Sequence, residues 1–90
     1  MKTFKIYISG TVQGVFFRGF IKEKADELKL KGFSRNLDDG RVEVVVEGKD
    51  ENIDKMVEEC RKGPKHAQIA KVDTEEIKHQ GLSDFKILRF

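Results

Sequence analysis

Apolar and polar residues alternate over several short stretches of the chain, and this alternation predicts β-strands. In the first stretch, Phe4, Ile6 and Ile8 share one face, and a period of two is typical of a strand with one buried face. The predicted strands are residues 2–9, 33–37, 41–47, 67–77 and 85–90. Alternation in residues 67–77 is imperfect, so we expect a bulge or an edge position there.

Two further stretches carry apolar residues at helical spacing. The apolar residues are Phe17, Ile21, Ala25 and Leu28 in the first stretch and Ile53, Met56, Val57 and Cys60 in the second. The first helix is expected to end near residues 31–32, with Gly32 just beyond its C-terminus. In the second, Asp50 is expected to be the N-cap, and the Gly63-Pro64 pair predicts the end.

The order of these elements predicts an α+β fold. Strand, helix, two strands, helix and strand match a ferredoxin-like βαββαβ sandwich, an antiparallel sheet with two helices on one face, followed by a short C-terminal strand. Residues 38–40, Asp-Asp-Gly, predict the turn between the second and third strands. A length of 90 residues is typical of one domain, so we expect a single domain over residues 1–90.

Composition argues against a nucleic-acid-binding protein, a membrane protein and a disulfide-stabilised protein. Eighteen basic and sixteen acidic residues leave a net charge of +2, which is too balanced to indicate nucleic acid or a membrane as a partner. A single cysteine cannot form an internal disulfide. We find no signal peptide and no apolar run of membrane-spanning length, and we therefore expect a cytoplasmic protein. A monomer is expected as well.

The stretch from Gly10 to Gly19 carries the candidate chemistry. It is a glycine-bearing connection from a predicted strand to a predicted helix, and it ends on Arg18. Backbone N–H groups at a helix N-terminus lack intrahelical acceptors and can bind an anion, and a guanidinium can hold two oxygens of one phosphoryl group. The P-loop pattern fails because Phe20 replaces its lysine. The alternative is an ordinary turn with a solvated arginine.

Two segments resemble the signatures of the acylphosphatase family. Residues 10–18, Gly-x-Val-Gln-Gly-Val-x-Phe-Arg, resemble its phosphate loop, and residues 32–43 resemble its second signature, which carries an asparagine at Asn36. The resemblance covers residues 4–90. It implies hydrolysis of an acyl phosphate to a carboxylate and inorganic phosphate, with no cofactor, no metal and no covalent intermediate.

The resemblance also implies a role for each site residue. The phosphoryl group would be held by the Arg18 guanidinium and by the N–H groups of Gly14, Val15, Phe16, Phe17 and Arg18. Asn36 would hold the attacking water in line with the departing carboxylate. Because a carboxylic acid has a pKa of about 4, the leaving group needs no proton from the enzyme. A neutral amide is not a base at neutral pH, so we suggest that a phosphoryl oxygen takes the proton of the water.

Other interpretations of these residues stay open. Asn36 also suits an ordinary turn, and Gln13 is expected to brace the loop rather than touch substrate. Phe16 and Phe17 are expected to pack in or near the core, with one of them possible at the substrate mouth. Arg35 should lie on the sheet face opposite Asn36. No pattern indicates a pocket for the acyl group, so broad acyl specificity is expected.

Competing functions differ in the residues they need. The alternative to an enzyme is a non-catalytic phosphate-binding or anion-binding module of the same fold, which in this family also occurs within hydrogenase maturation factors. An RNA-recognition domain needs aromatic residues on its central strands, whereas residues 41–47 contain none and carry Glu43 and Glu47. Neither a CxxC motif nor metal-ligand spacing is present; His66 and His79 fall outside both signatures, and Asp38 and Asp39 suit a turn.

Overall fold

The computed structural model describes residues 1–88 of the chain, and the order of its elements confirms the order predicted from the pattern. Arg89 and Phe90, which the prediction placed in the last strand, lie outside the described residues. The elements are β1 (Lys2–Gly10), α1 (Val15–Glu27), β2 (Lys31–Asn36), β3 (Val42–Gly48), α2 (Asp50–Lys62), β4 (Ile69–Ile77) and β5 (Phe85–Ile87).

The five strands form one sheet in the order β4-β1-β3-β2-β5. The pairs β4–β1, β1–β3 and β3–β2 are antiparallel, as expected for the ferredoxin-like α+β fold. β5 instead pairs in parallel with β2, so the sheet is mixed and not purely antiparallel. β4 lies at the other edge, and its register against β1 shifts at Ser9/Gly10, which confirms the expected edge position and bulge.

Both helices pack on the same face of this sheet. Ile6, opposite Val44 in the register, and Ile8, opposite Val42, are completely buried. The helical residues that join these strand residues in one core cluster are Phe17, Ile21 and Ala25 of α1 and Ile53, Met56 and Cys60 of α2. Removal of apolar side chains from water is the main stabilising contribution to such a core. The two predicted apolar stripes are therefore confirmed.

α1 ends at Glu27, four residues earlier than expected, because Lys29 and not Gly32 turns the chain. Lys29 has φ 55°, its N–H donates to Asp26 O (3.1 Å), and the Leu30 N–H donates to Ala25 O (2.9 Å). This pair of bonds is the Schellman pattern of helix termination. Gly32 lies within β2 at φ 148°, where a Cβ atom would be 1.7 Å from Val45 O.

The start of α2 also differs from the prediction, whereas its end agrees. Lys49 is the N-cap and makes no side-chain cap, so the predicted cap Asp50 is the first helical residue, 3.4 Å from Lys2 Nζ. Gly63 (φ 69°) donates its N–H to Glu59 O (2.9 Å), as expected of a terminating glycine. Within residues 1–88, neither helix has the length and apolar character needed to cross a membrane.

Candidate functional site

The loop between β1 and α1, residues 11–14, leads directly into the first turn of α1. Gly14 is the N-cap, with φ 136° and ψ 167°, a backbone region that is essentially restricted to glycine. No side chain caps this helix, and helical geometry leaves the N–H groups that precede Arg18 without an intrahelical acceptor. The loop therefore presents backbone donors at the helix terminus.

The charge around the two helix N-termini differs in a way that favours an anion at α1. The first turn of α2 carries Asp50 and Glu51, whereas that of α1 carries no acidic residue. The N-terminus of a helix bears a partial positive charge, which carboxylates in the first turn offset. At α1 this charge is not offset, and Arg18 adds a full positive charge beside it.

Arg18 belongs to the first turn of α1 and folds back over the loop. Its backbone N–H donates to Gly14 O (3.2 Å) as the first helical bond, and its Nε lies 3.4 Å from the same oxygen. Because its backbone N–H is already used in this way, Arg18 can contribute to an anion site mainly through its guanidinium. The available backbone donors are then those of residues 14–17.

Asn36 is the last residue of β2 and points to the sheet face that carries the helices. It stands opposite Val42, a core residue. Its Oδ1 is buried, and no donor in residues 1–88 bonds to it. Buried polar atoms normally have a partner, so this carbonyl is an acceptor suited to a small donor such as water. Arg35 lies on the other face, with Nε 2.8 Å from Glu43 Oε1, as predicted.

Gln13 joins the two candidate segments. Its Nε2 donates to Leu37 O (2.9 Å) and to Arg41 O (3.2 Å), and Leu37 follows Asn36 directly. The prediction that Gln13 braces the loop is confirmed. The identity of its partners was not predicted, because nothing in the local pattern indicates which carbonyl groups a distant amide will meet. The brace holds the loop against the strand end that carries Asn36.

The turn between β2 and β3 is stabilised by one of its acidic residues, Asp39. Asp39 Oδ1 accepts from the Arg41 N–H (3.1 Å), and Asp39 Oδ2 accepts from Arg41 Nε (2.8 Å). These bonds from Arg41, its backbone N–H first, lower the pKa of the Asp39 carboxyl. The Arg41 guanidinium also lies 4.7 Å from the centre of the Tyr7 ring, where a cation is attracted to the aromatic face. The predicted turn is confirmed.

The two adjacent phenylalanines of the loop have opposite environments. Phe17 packs in the core, as expected, whereas Phe16 is 89% exposed, so the expectation of core packing is wrong for Phe16. Phe16 instead borders a groove of about 820 Å³. We call this the α1 groove. The residues that line it are Thr11, Gln13, Gly14, Phe16, Phe17, Gly19, Phe20, Glu23, Pro64, Lys65, His66 and Ala67.

Cys60 and the two histidines belong to neither signature segment. Burial raises the pKa of the Cys60 thiol to about 12, so the thiol stays protonated at neutral pH and is a poor nucleophile. His66 borders the α1 groove, and His79 Nδ1 lies 3.2 Å from Glu47 Oε2. Among residues 1–88, we find no group of three or more histidine, cysteine or acidic side chains arranged to hold a metal ion.

Glu47 is a buried carboxylate that the pattern did not identify. It is 1% exposed and accepts hydrogen bonds from Thr3 Oγ1, from the Gln80 N–H (2.6 Å) and from the Leu82 N–H (2.8 Å). Burial alone would raise its pKa, but these three bonds, together with the nearby His79, lower it to about 2. Alternation had placed Glu47 on the exterior face. The alternation of residues does not show that residues 78–82 cover this face and bond to Glu47.

Comparison with known proteins places this geometry in a family. The family model described as acylphosphatase matches residues 4–87. An acylphosphatase of Pseudomonas aeruginosa is 45% identical over 83 residues, which cover 92% of this chain and 91% of the relative. The crystal structure of acylphosphatase from Bacillus subtilis superposes with a TM-score of 0.94 at 34% identity and covers 99% of this chain and 100% of that one.

A similar domain occurs inside a larger protein. The crystal structure of T. kodakarensis HypF matches with a TM-score of 0.81 at 41% identity, covering 97% of this chain but only 12% of the HypF chain.

Proposed function

We propose a mechanism for this chain, which belongs to the acylphosphatase family and is an acylphosphatase, a hydrolase. In this mechanism a water molecule attacks the phosphorus atom of an acyl phosphate directly. The carboxyl–phosphate bond breaks, and the products are a carboxylate and inorganic phosphate. No covalent intermediate and no metal ion take part.

The phosphoryl group is held by the loop that starts α1. The N–H groups of Gly14, Val15, Phe16 and Phe17 donate to its oxygens, and the Arg18 guanidinium supplies two further donors and a positive charge. The unoffset positive charge of the α1 N-terminus supports this assignment, because phosphoryl transfer depends mainly on positioning and on stabilising charge on the equatorial oxygens. In this proposal, neither the positioning of the phosphoryl group nor the stabilisation of its charge requires a metal ion.

Asn36 positions the attacking water. Its buried Oδ1 accepts a hydrogen bond from the water, which leaves an oxygen lone pair directed at phosphorus. The water loses its proton to a phosphoryl oxygen, because a neutral amide cannot accept it. The departing carboxylate needs no acid, since its conjugate acid has a pKa of about 4.

One observation carries this proposal. Gln13, in the loop, donates to the carbonyl groups of Leu37 and Arg41, which links the loop before α1 to the strand end that carries Asn36. Neither segment would form a site alone. The contact supports a joint action of Asn36 and Arg18, 18 positions apart in sequence, on one phosphoryl group.

The decisive experiment measures hydrolysis of acetyl phosphate, with EDTA present, by the wild type and by Arg18→Ala, Arg18→Lys and Asn36→Ala. We expect metal-independent turnover in the wild type and a fall in kcat/KM of about 10²–10³-fold in each variant, the magnitude typical for loss of one preorganised polar contact with the reacting groups. Arg18→Lys belongs in this group because an ammonium cannot replace the planar fork. Arg61→Ala removes an exposed arginine of α2 and serves as the matched control.

Each result has a defined meaning. Full activity of Asn36→Ala would refute its role with water. Phosphate binding without turnover in the wild type would favour the alternative, a non-catalytic phosphate-binding module, for which the match to one segment of HypF gives the specific reason. We further propose that residues 1–90 act as one domain, as a cytoplasmic monomer with no nucleic-acid or membrane partner. Sedimentation of the purified chain tests its monomeric state.

A further inference from the structure

We propose that the α1 groove holds the acyl group of the substrate and makes the enzyme selective for acyl phosphates with an apolar, preferably aromatic, acyl group. This inference rests on the proposed function, since it assigns the part of the substrate that the phosphate loop does not hold. The sequence pattern had indicated no site for that part, and broad acyl specificity was expected.

The α1 groove begins at the phosphate loop itself. Gln13, Gly14 and Phe16 belong both to the loop and to the lining of the groove. A substrate whose phosphoryl group binds the backbone of residues 14–17 therefore has the groove directly beside it. The volume of about 820 Å³ lies in the range of ordinary small-molecule sites and exceeds what a benzoyl group needs.

The groove and the sheet edge formed by β2 and β5 lie on different sides of α1. On one side of α1, Lys22 Nζ donates to Phe85 O of β5 (3.2 Å), which marks the edge of the sheet next to β2 and Asn36. On the other side, Lys24 Nζ lies 3.8 Å from Glu59 of α2. The groove runs along this second side, between α1 and residues 64–67, which lead into β4 at the far edge of the sheet.

The geometry of in-line displacement decides on which side of the phosphorus atom the acyl group leaves. The oxygen of the attacking water and the departing carboxylate oxygen must stand on opposite sides of phosphorus. With water held at Asn36, the bond from phosphorus to the acyl oxygen points away from β2, and the α1 groove lies on the side of α1 that faces away from β2 and β5. As the water oxygen bonds to phosphorus, the electron pair of the breaking bond passes to the carboxylate, and the proton of the water stays on the phosphate.

The lining of the groove determines which acyl group fits. Phe16 and Phe20, one helical turn apart, form one aromatic wall, and Pro64 and Ala67 form the opposite side. Glu23, Lys65 and His66 are the charged or titratable residues that also border it. A mostly apolar groove with a few polar groups is typical of sites for apolar ligands, and the two rings can stack on an aromatic acyl group.

Gly19 offers a clean way to fill the groove. It lines the groove, its φ lies outside the glycine-restricted region, and a Cβ atom built on it would meet nothing within 4 Å. Gly19→Leu therefore adds bulk to the groove without backbone strain, and leucine favours the helix over glycine. Glu27→Leu places the same side chain at an exposed position on the same helix, away from the groove, and is the matched control.

The test compares kcat/KM for benzoyl phosphate and acetyl phosphate in the wild type, Gly19→Leu, Phe16→Ala and Glu27→Leu. We expect the benzoyl-to-acetyl ratio to fall at least tenfold in Gly19→Leu and several-fold in Phe16→Ala, whose exposed ring can be removed without opening the core. We expect no change in Glu27→Leu. Each variant is first checked for folding by far-UV circular dichroism.

The possible outcomes separate this inference from the proposed function. Turnover of both substrates with a ratio unchanged by Gly19→Leu and Phe16→Ala would overturn the acyl site while leaving the phosphatase mechanism intact, whatever the absolute rates. An equal change of the ratio in Glu27→Leu would also overturn it. Failure of the wild type to hydrolyse either substrate would overturn the proposed function, and the acyl site with it.

Discussion

Replacement of Glu47 by glutamine should lower the free energy of unfolding by about 3 kcal/mol at pH 7. The carboxylate is buried on the sheet face opposite the helices and accepts bonds from Thr3, Gln80 and Leu82. Glutamine keeps its size but has one acceptor oxygen where the carboxylate has two. Its amide NH₂ group would face an N–H donor that the carboxylate satisfied, and an unsatisfied buried donor is costly.

The magnitude follows from the pKa of Glu47, which burial alone would raise but which its three hydrogen bonds and the nearby His79 lower from 4.5 to about 2. One pKa unit corresponds to about 1.4 kcal/mol of preference for the ionised form, and the difference of more than two units gives about 3 kcal/mol. Because the folded pKa is lower than the unfolded one, this contribution is complete above pH 4.5 and disappears as the pH falls toward 2.

The assay is urea denaturation of the wild type and Glu47→Gln at several pH values between 7 and 2. We expect the difference between the two proteins to shrink from about 3 kcal/mol at neutral pH toward zero near pH 2. Glu75→Gln, at an exposed position of β4, should change stability by less than about 0.5 kcal/mol. A difference below about 1 kcal/mol at pH 7, or one independent of pH, would refute this account of the buried carboxylate.

Two further predictions concern the loop. Gln13→Ala should lower kcat/KM for acetyl phosphate about tenfold and stability by about 1–2 kcal/mol, because both bonds to the β2–β3 turn are lost; unchanged kinetics would contradict its role as a brace. Gly14→Ala should destabilise by about 1–3 kcal/mol through backbone strain alone, whereas Gly19→Ala should stabilise by up to about 1 kcal/mol. Thermal unfolding measures both changes in stability. A change in the same direction for Gly14→Ala and Gly19→Ala would refute the argument from backbone conformation.

The mechanism depends on a contact between two loops that are separate in sequence. Gln13 lies before α1 and its acceptors lie around the β2–β3 turn, so one side chain holds the helix start proposed to bind the phosphoryl group against the strand end proposed to bind the water. This arrangement suits a catalyst that needs positioning more than proton transfer, because small displacements of reacting groups are costly in rate.

Much of the fold could be predicted because local pattern determines it. The strands and helices follow from apolar periods, the β2–β3 turn from its Asp-Gly pair, and the end of α2 from Gly63, since each depends on residues close in sequence. The end of α1 was predicted wrongly for a tertiary reason. Gly32 resembles a helix-terminating glycine, but it is needed where β2 approaches the backbone of Val45.

By itself, the sequence determined the order of elements, the two signature segments and the candidate residues within them, because these are matters of residue type and spacing. Only the tertiary structure decided what those residues meet. The buried acceptor of Asn36, the partners of Gln13, the exposure of Phe16 beside a groove and the burial of Glu47 all depend on groups brought together from distant parts of the chain. The alternation and spacing of apolar residues predict which face of a strand or helix a side chain occupies. Tertiary packing determines which groups cover that face.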